Sequence, residues 1–299
     1  MTTLAIAGAS GSLGRRTAEL ALERGVDPAQ LVLVTRDPAK LADLAARGAQ
    51  VRAGDFDAPQ TLPAALAGVE RLLLISTDAV GRRVAQHTAA IDAAKAAGVA
   101  HVAYTSLPRP EGDHPTGPLA ADHHGTEEAL KASGLAWTFL RNSLYTDLQL
   151  ASGAHAVASG QLVTNAGGGR VAYVTRADCA AAAAGWLADG GHAGEALDVT
   201  GPALVTQAEL AAALSAASGR PVEVVDVDDA AYAEGLVAGG VPAPLAQVFA
   251  GFGTAIRTGL LETRTDVVER LSGRAPTSVA AFLAAHADAL VGDGAPASA

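Results

Sequence analysis

Short apolar runs without charge alternate with longer stretches of helix formers through the first half of the chain. The run holding Leu4 and Ile6, and "LVLVTR" at 31–36, read as strands buried on both faces, because no polar position interrupts their apolar cores. "VRAGDF", ending near Asp55, reads as a third and shorter strand. "VERLLLIST" at 69–77, "HVAYTS" and "AWTFLR" follow as the fourth, fifth and sixth. Helical stretches separate them: 15–25, stopped by Gly25; one capped by Asp37, opened by Pro38 and stopped by Gly48; 84–97; and 119–133. This alternation predicts an α/β fold, a doubly wound parallel sheet of the Rossmann kind.

Past residue 150 the pattern loosens. "GQLVTNAGGGRVAYVTRADCAAAAAGWLADG" reads as a hairpin followed by a helix capped at Thr175, and "EALDVTG" as one more strand of the main sheet. From Thr206 the pattern is mostly helical, with "PVEVVDV" as an extra strand. The expected organisation is a nucleotide-binding domain over 1–150 and a smaller, mainly helical substrate lobe over 151–291, with about 171–200 returning to the sheet. The tail 292–299, "GDGAPASA", lacks bulky apolar residues and is expected to be disordered.

The first strand runs into three glycines, Gly8, Gly11 and Gly14, and then into a helix. Gly8 permits a sharp turn, Gly11 a close approach of backbone to a pyrophosphate, and Gly14 close helix–strand packing, with the helix N-terminus facing the anion. The spacing is GxxGxxG rather than GxGxxG. A tight structural turn would use the same glycines, but strand, turn and helix in this order favour a dinucleotide. Ligands of such sheets sit beyond the C-terminal strand ends, which nominates Arg36, Asp55, Ser76, Thr77, Thr105, Ser106, Arg141 and Asn142.

Composition narrows the chemistry. With 299 residues, 49% hydrophobic, there is enough chain for one full α/β domain and a lobe. A net charge of -10 argues against a nucleic-acid partner. Cys179 is the one cysteine, so there is no internal disulfide and no cysteine metal site; together with the missing leader and membrane-spanning run, this points to the cytoplasm. No carboxylate and histidine set has the spacing of metal ligands.

The second strand ends in Thr35 and Arg36, and an arginine there suits the 2′-phosphate of NADP(H). Asp37, one residue on, is accounted for as a helix cap. The lysines are Lys40, Lys95 and Lys131, and Arg36, Ile91 and Glu127 stand four residues before them, so there is no Tyr-x-x-x-Lys dyad. Hydride transfer to an ordinary ketone would leave an alkoxide almost as basic as hydroxide, pKa about 15.7. Transfer to a quinone leaves a phenolate-like anion, pKa near ~10, a saving of about 8 kcal/mol in the need for an acid. Quinones and cationic conjugated dyes therefore need a positioned acceptor more than a tuned general acid.

"AGASGSLG", "TRDPAKL", "GVERLLLIST", "AAKAAGVAHVAYTS", "FLRNSLYTD" and "VTNAGGGRVAYVTRAD" together resemble the NmrA-like atypical short-chain reductases, in particular the bacterial NADPH-dependent quinone and triphenylmethane reductase group. The resemblance implies NADP(H) contacts along the turn, through Gly8, Ala9, Ser10, Gly11, Ser12, Leu13 and Gly14, at Arg36, and around Ser76 and Thr77. It also implies that the loop from Arg141 to Thr146 borders the nicotinamide and acceptor, with a quinone-like small molecule as partner and a homodimer left open. "PRPEGDHPTGP" departs from the group's pattern, which bears on acceptor preference. Asn142, Tyr145 and His123 are the candidates for the reacting end. His123 matches a histidine of the relatives but could equally be a surface or capping residue, and Tyr145 a packed aromatic. His124 reads as surface and Cys179 as core; Arg176 and Asp178 read as braces of their helix. The competing reading is an NmrA-type redox sensor that binds NADP without turnover. An isoflavone-reductase-like enzyme would need a lysine that the helix at 119–133 carries only near its far end, as Lys131.

Overall fold

In the computed structural model, which describes residues 2–291, the six expected strands form and all pair in parallel. They are β1 (Leu4–Ala7), β2 (Leu31–Thr35), β3 (Gln50–Ala53), β4 (Arg71–Leu74), β5 (His101–Ser106) and β6 (Ala136–Asn142). The crossovers carry α1 (Ser12–Glu23), α2 (Ala42–Ala46), α3 (Leu62–Leu66), α4 (Arg83–Ala96) and α5 (Pro118–Ala132). Strand order is β3-β2-β1-β4-β5-β6, and Leu4 stands opposite both Leu31 and Arg71, so β1 is the centre from which the sheet winds both ways. The fourth strand is shorter than its apolar run. Pairing with the four residues of β1 ends at Leu74, and only Ile75 N–H still donates to Ala7 O before the chain leaves the sheet.

Two apolar layers sandwich this sheet, which is why the strands read as continuous rather than alternating. Leu4, Ile6, Leu31 and Leu33 face one side; Ala5, Ala7, Val32, Val34, Leu72 and Leu74 face the other, against α3, α4 and α5. Each leucine buried in this way contributes roughly 1.5–3 kcal/mol.

The chain then leaves through α6 (Gln149–Ser159), β7 (Gln161–Thr164) and β8 (Arg170–Val171). The expected hairpin does not form. β7 pairs in parallel with a distant strand, β11 (Glu223–Asp226), and β8 pairs antiparallel with β10 (Val205–Thr206). The glycines Gly167–Gly169 lead the chain around a later helix, α10 (Ala243–Arg257), where a Cβ on Gly169 would lie 2.2 Å from Ile256 O, so they serve a close crossing rather than a hairpin turn. α7 (Arg176–Asp189) and β9 (Glu195–Val199) return to the main body, and β9 joins β6 as the seventh parallel strand. Thr175 caps α7, its hydroxyl accepting from Asp178 N–H at 3.0 Å. The carboxylate of Asp178 accepts from Thr175 Oγ1 at 2.7 Å and from Thr277 N–H at 2.8 Å, so Asp178 braces the helix as expected, and Cys179 is buried beside it.

The remaining helices are α8 (Gln207–Ser218), α9 (Asp229–Ala238), α10 (Ala243–Arg257), α11 (Val267–Ser272), α12 (Val279–Ala285) and α13 (Ala287–Val291). All but α11 belong to the lobe, whose own core is built from Val157, Leu162, Tyr173, Leu210, Leu214, Ile256 and Phe282. α11 packs with α7 under the sheet. α10 reaches over the loop before α5, where a Cβ on Gly251 would lie 2.3 Å from Pro115 O. The lobe thus roofs the ends of β5 and β6. The tail expected to be disordered lies outside the described residues.

Candidate functional site

The C-terminal ends of β1, β2, β4, β5 and β6 share one edge of the sheet, and β1 runs directly into the glycine turn. The three glycines have three different roles. Gly8 has φ +86°, in the left-handed region, and the N–H groups of Gly8 and Ala9 both donate to Val34 O, at 3.2 and 3.1 Å. Gly14 stands where a Cβ would lie 2.4 Å from Gly8 O, so it lets α1 lie against the turn. Gly11 is exposed, and an added Cβ would meet only Gly8 O, at 3.5 Å. α1 has no side-chain cap, and the N–H groups of Ser12, Leu13 and Gly14 make no hydrogen bond within the described residues. Such an N-terminus favours an anion.

Around the turn, Ser10 Oγ accepts from Thr35 Oγ1 at 2.8 Å, which joins the ends of β1 and β2. Asp37 caps the turn that follows, accepting from Ala39 N–H at 3.1 Å, as its position predicts. Arg15 grips Asp43 through two hydrogen bonds of 2.8 and 2.9 Å and donates to Lys40 O. Arg36, by contrast, is exposed and forms no ion pair among the described residues. A free helix N-terminus, an open cradle at Gly11 and an unpaired arginine fit a dinucleotide that carries a 2′-phosphate. Asp55 is folded into a local turn past β3, with one carboxylate oxygen accepting from Asp57 N–H at 3.0 Å.

At the end of β4, Ser76 N–H donates to Thr105 Oγ1 at 2.8 Å. Thr77 is tied to α4 at three atoms: its N–H donates to His87 Nε2, its hydroxyl to Gln86 Oε1, and its carbonyl accepts from Arg83 Nε. It anchors the loop, with its hydroxyl proton committed to Gln86. Because Thr126 Oγ1 already donates to Asp122 O, it accepts from His87 Nδ1, which leaves Nε2 of His87 as the acceptor for Thr77. This fixes His87 as a neutral tautomer, and burial pushes its pKa down to about 3.

At the end of β6, Asn142 Nδ2 donates to Tyr145 Oη at 3.2 Å, so these two expected residues form one unit. The Tyr145 ring packs on the apolar layer beneath α7, under the Arg176 guanidinium at 5.2 Å, and burial pushes its hydroxyl well above the usual tyrosine range. Arg141, expected beside the cofactor, is engaged by two carboxylates. Its guanidinium lies 2.6 Å from the wholly buried Glu127 and 2.5 Å from Glu111, and its strand partner across β9 is Asp198. A cation so neutralised fastens β6 to α5 and to the loop before it. His123, on α5, is buried rather than at the surface; its Nδ1 lies 2.9 Å from Tyr104 Oη and burial holds its pKa well below the ordinary value. His124 is half-buried, not plain surface.

Arg83, Gln86, His87 and Tyr104 did not figure in the sequence reading. A signal was available for three of them: Arg83, Gln86 and His87 share the helix face of Ala90, Ile91 and Ala94, and polar residues in a buried stripe call for an explanation. Among the described residues no set of three or more His, Cys, Asp or Glu side chains could hold a metal, and no helix is long and apolar enough to cross a membrane.

Comparison with known proteins places this geometry. The family described as NAD(P)H-binding matches over residues 8–190, from the glycine turn to the end of α7. Quinone oxidoreductase 2 of Escherichia coli (strain K12) is 40% identical over 277 residues, 93% of this chain and 96% of that protein. The crystal structure of an NADPH-dependent quinone oxidoreductase of Escherichia coli complexed with NADPH superposes with a TM-score of 0.90 at 39% identity, over 94% of this chain and 99% of that one. The triphenylmethane reductase of Citrobacter sp., complexed with NADP(H), gives 0.84 at 35% identity, over 95% and 99%. The chain belongs to the NAD(P)H-binding, NmrA-like family.

Proposed function

We propose that this protein is an NADPH-dependent reductase that delivers hydride to a quinone or a similar conjugated, electron-poor acceptor. One observation carries the reading: the titratable groups at the reacting end are pushed away from neutrality in the directions that disable them as proton donors. Burial raises the Tyr145 hydroxyl and lowers His123, so neither gives up a proton readily near neutral pH. Such a site suits an acceptor whose reduced anion is already stable, and the relatives with quinone and dye substrates fit that chemistry.

The glycine turn and the first turn of α1 would hold the pyrophosphate, and Arg36 the 2′-phosphate. NADPH, when bound, supplies the hydride. Asn142, fixed by Tyr145, orients an acceptor oxygen through its amide, and the lobe helix α10 limits water at the ends of β5 and β6. A small-molecule substrate in the cytoplasm, rather than a nucleic acid, accords with a net charge of -10 and a single cysteine. The test is NADPH oxidation followed by absorbance with benzoquinone, naphthoquinone and simple aliphatic ketones. Turnover of the quinones and none of the ketones is expected. NADPH binding without turnover across quinones and cationic dyes would favour a redox sensor, and brisk ketone reduction would mean that an unidentified acid is present.

A further inference from the structure

Arg83 is the only arginine or lysine among the described residues that is buried, at 4% exposure, and it has no carboxylate within ion-pair distance. Its Nε donates to Thr77 O at 2.6 Å; its NH1 is enclosed and without a hydrogen-bond partner, and its NH2 makes no hydrogen bond. The nearest buried carboxylates on α5 are spoken for. Asp122 accepts from Gly81 N–H at 2.6 Å, and Glu127 is held by Arg141. Leaving a guanidinium buried and unpaired costs several kcal/mol, by order of magnitude, so a fold does not keep one for packing alone.

Its surroundings locate it. Thr77 lies on the loop that leaves β4 at the ligand edge of the sheet, beyond Ile75 and Ser76. The charge of Arg83 is felt at His87, at Tyr104 on β5 and at His123 on α5. Ser106 lies two residues past Tyr104 on the same face of β5, and its buried Oγ also lacks a partner. An uncompensated positive charge and an unpaired hydroxyl thus border the ends of β4 and β5, where the reacting end of a dinucleotide lies in such sheets.

We propose that Arg83 is the electrostatic group that stabilises negative charge on the reduced acceptor, and so biases the site toward acceptors that become anions. This inference rests on the reductase reading above. A neutral quinone that gains a hydride, two electrons and one proton, becomes a hydroquinone monoanion as NADPH becomes NADP⁺; water then supplies the second proton. A cationic triarylmethane dye gaining the same hydride at its central carbon becomes neutral and takes up no proton. Both acceptors gain one negative charge, so a fixed cation assists the transfer step itself in each. Relative to the free reactants it attracts the quinone's partly anionic transition state and repels the dye, which is still partly cationic there, so the two are told apart by kcat/KM.

The experiment compares wild type, Arg83→Gln and Arg83→Lys with benzoquinone and with malachite green, alongside NADPH affinity and thermal melting. Arg83→Gln should lower kcat/KM for the quinone about tenfold or more, and leave that for the dye unchanged or raised. Its Tm should hold or rise, since an unpaired buried charge is removed. Arg83→Lys, which keeps the charge, should retain most of the quinone rate. Equal loss for both acceptors, or Arg83→Lys losing as much quinone activity as Arg83→Gln, overturns the proposal. A wild type that reduces neither acceptor overturns the reductase reading instead.

Discussion

At the scale of single residues, the glycine turn separates two functions that a sequence motif merges. Gly14 is required by the fold, and Gly11 by the ligand. A Cβ at Gly14 would lie 2.4 Å from Gly8 O, so Gly14→Ala should cost about 1–3 kcal/mol as overpacking and lower the Tm. Gly11 has φ -73°, which any residue adopts, and an open neighbourhood, so Gly11→Val should fold normally and yet lose NADPH. A Gly11→Val variant that still enhances NADPH fluorescence as wild type does would reduce the turn to a structural feature. Arg36 admits the complementary test. It is exposed and unpaired, and Arg36→Asp replaces attraction for a 2′-phosphate with repulsion while Asp37 keeps its capping bond. The preference for NADPH over NADH should reverse, with NADPH weakened by roughly 1.5–3 kcal/mol for the lost charge-assisted contact. Equal wild-type affinities for the two cofactors in a direct titration would remove the basis of that assignment. At the reacting end, Asn142→Ala should slow quinone turnover, through an acceptor held less well, with little change in NADPH affinity.

At the scale of elements, what could be read from the sequence was whatever depends on local pattern. The strands β1 to β6, the caps at Asp37 and Thr175 and the return of β9 are written in apolar runs, capping residues and glycine stops within a few positions. The ladder β7–β11 joins segments about sixty residues apart, and no local signal pairs Gln161 with Glu223; adjacency suggested a hairpin, and tertiary contact decided otherwise. The same limit explains the site. Arg36, Gly11 and Asn142 stand at strand ends or in a turn and could be nominated by position, whereas the commitments of Arg141 to Glu127 and of Thr77 to α4 depend on where helices lie. α7 shows how much can hang on a residue with no side chain. Its alanines 180–184 are buried, and Gly185 passes so close to α11 that a Cβ would lie 1.8 Å from Leu271 O. Gly185→Ala should therefore drive the two helices apart, costing about 3 kcal/mol or more, visible as a lower urea midpoint. Because α7 packs on α1, NADPH affinity should weaken as well. A variant with wild-type stability would mean that α11 can shift freely, which its contacts with Asp198 and Thr200 through Thr265 argue against.

At the scale of the whole molecule, buried histidines couple stability to acidity. His87, His114 and His123 all have pKa values lowered by burial, His87 to about 3. Their folded values lie below the unfolded value of about 6.5, so the unfolded chain binds protons first as the pH falls. Their contribution is complete above that value and is lost progressively below it, by about 1.4 kcal/mol per pH unit for each histidine that stays neutral. The lowered carboxylates are a separate and later effect. Asp229 beside Arg257 and Asp43 beside Arg15, each near 2, lose their contribution only as the pH falls below the ordinary carboxylate value toward that level. Urea midpoints should thus decline from about pH 6.5 downward, before these lowered carboxylates titrate. The chemistry should behave differently from the stability. With Tyr145 raised and His123 lowered, neither of these candidates titrates near neutrality, so folded protein should reduce quinone at a rate that is flat across this range. A pH jump separates the two effects. Enzyme held at pH 7 and diluted into quinone and NADPH at about pH 5.5 should begin at the neutral rate and then decay at the speed of unfolding. An initial rate that itself falls along a titration curve near ~6.5 would require a histidine with an ordinary pKa in the reaction, and would return His123 from buried partner of Tyr104 to proton donor.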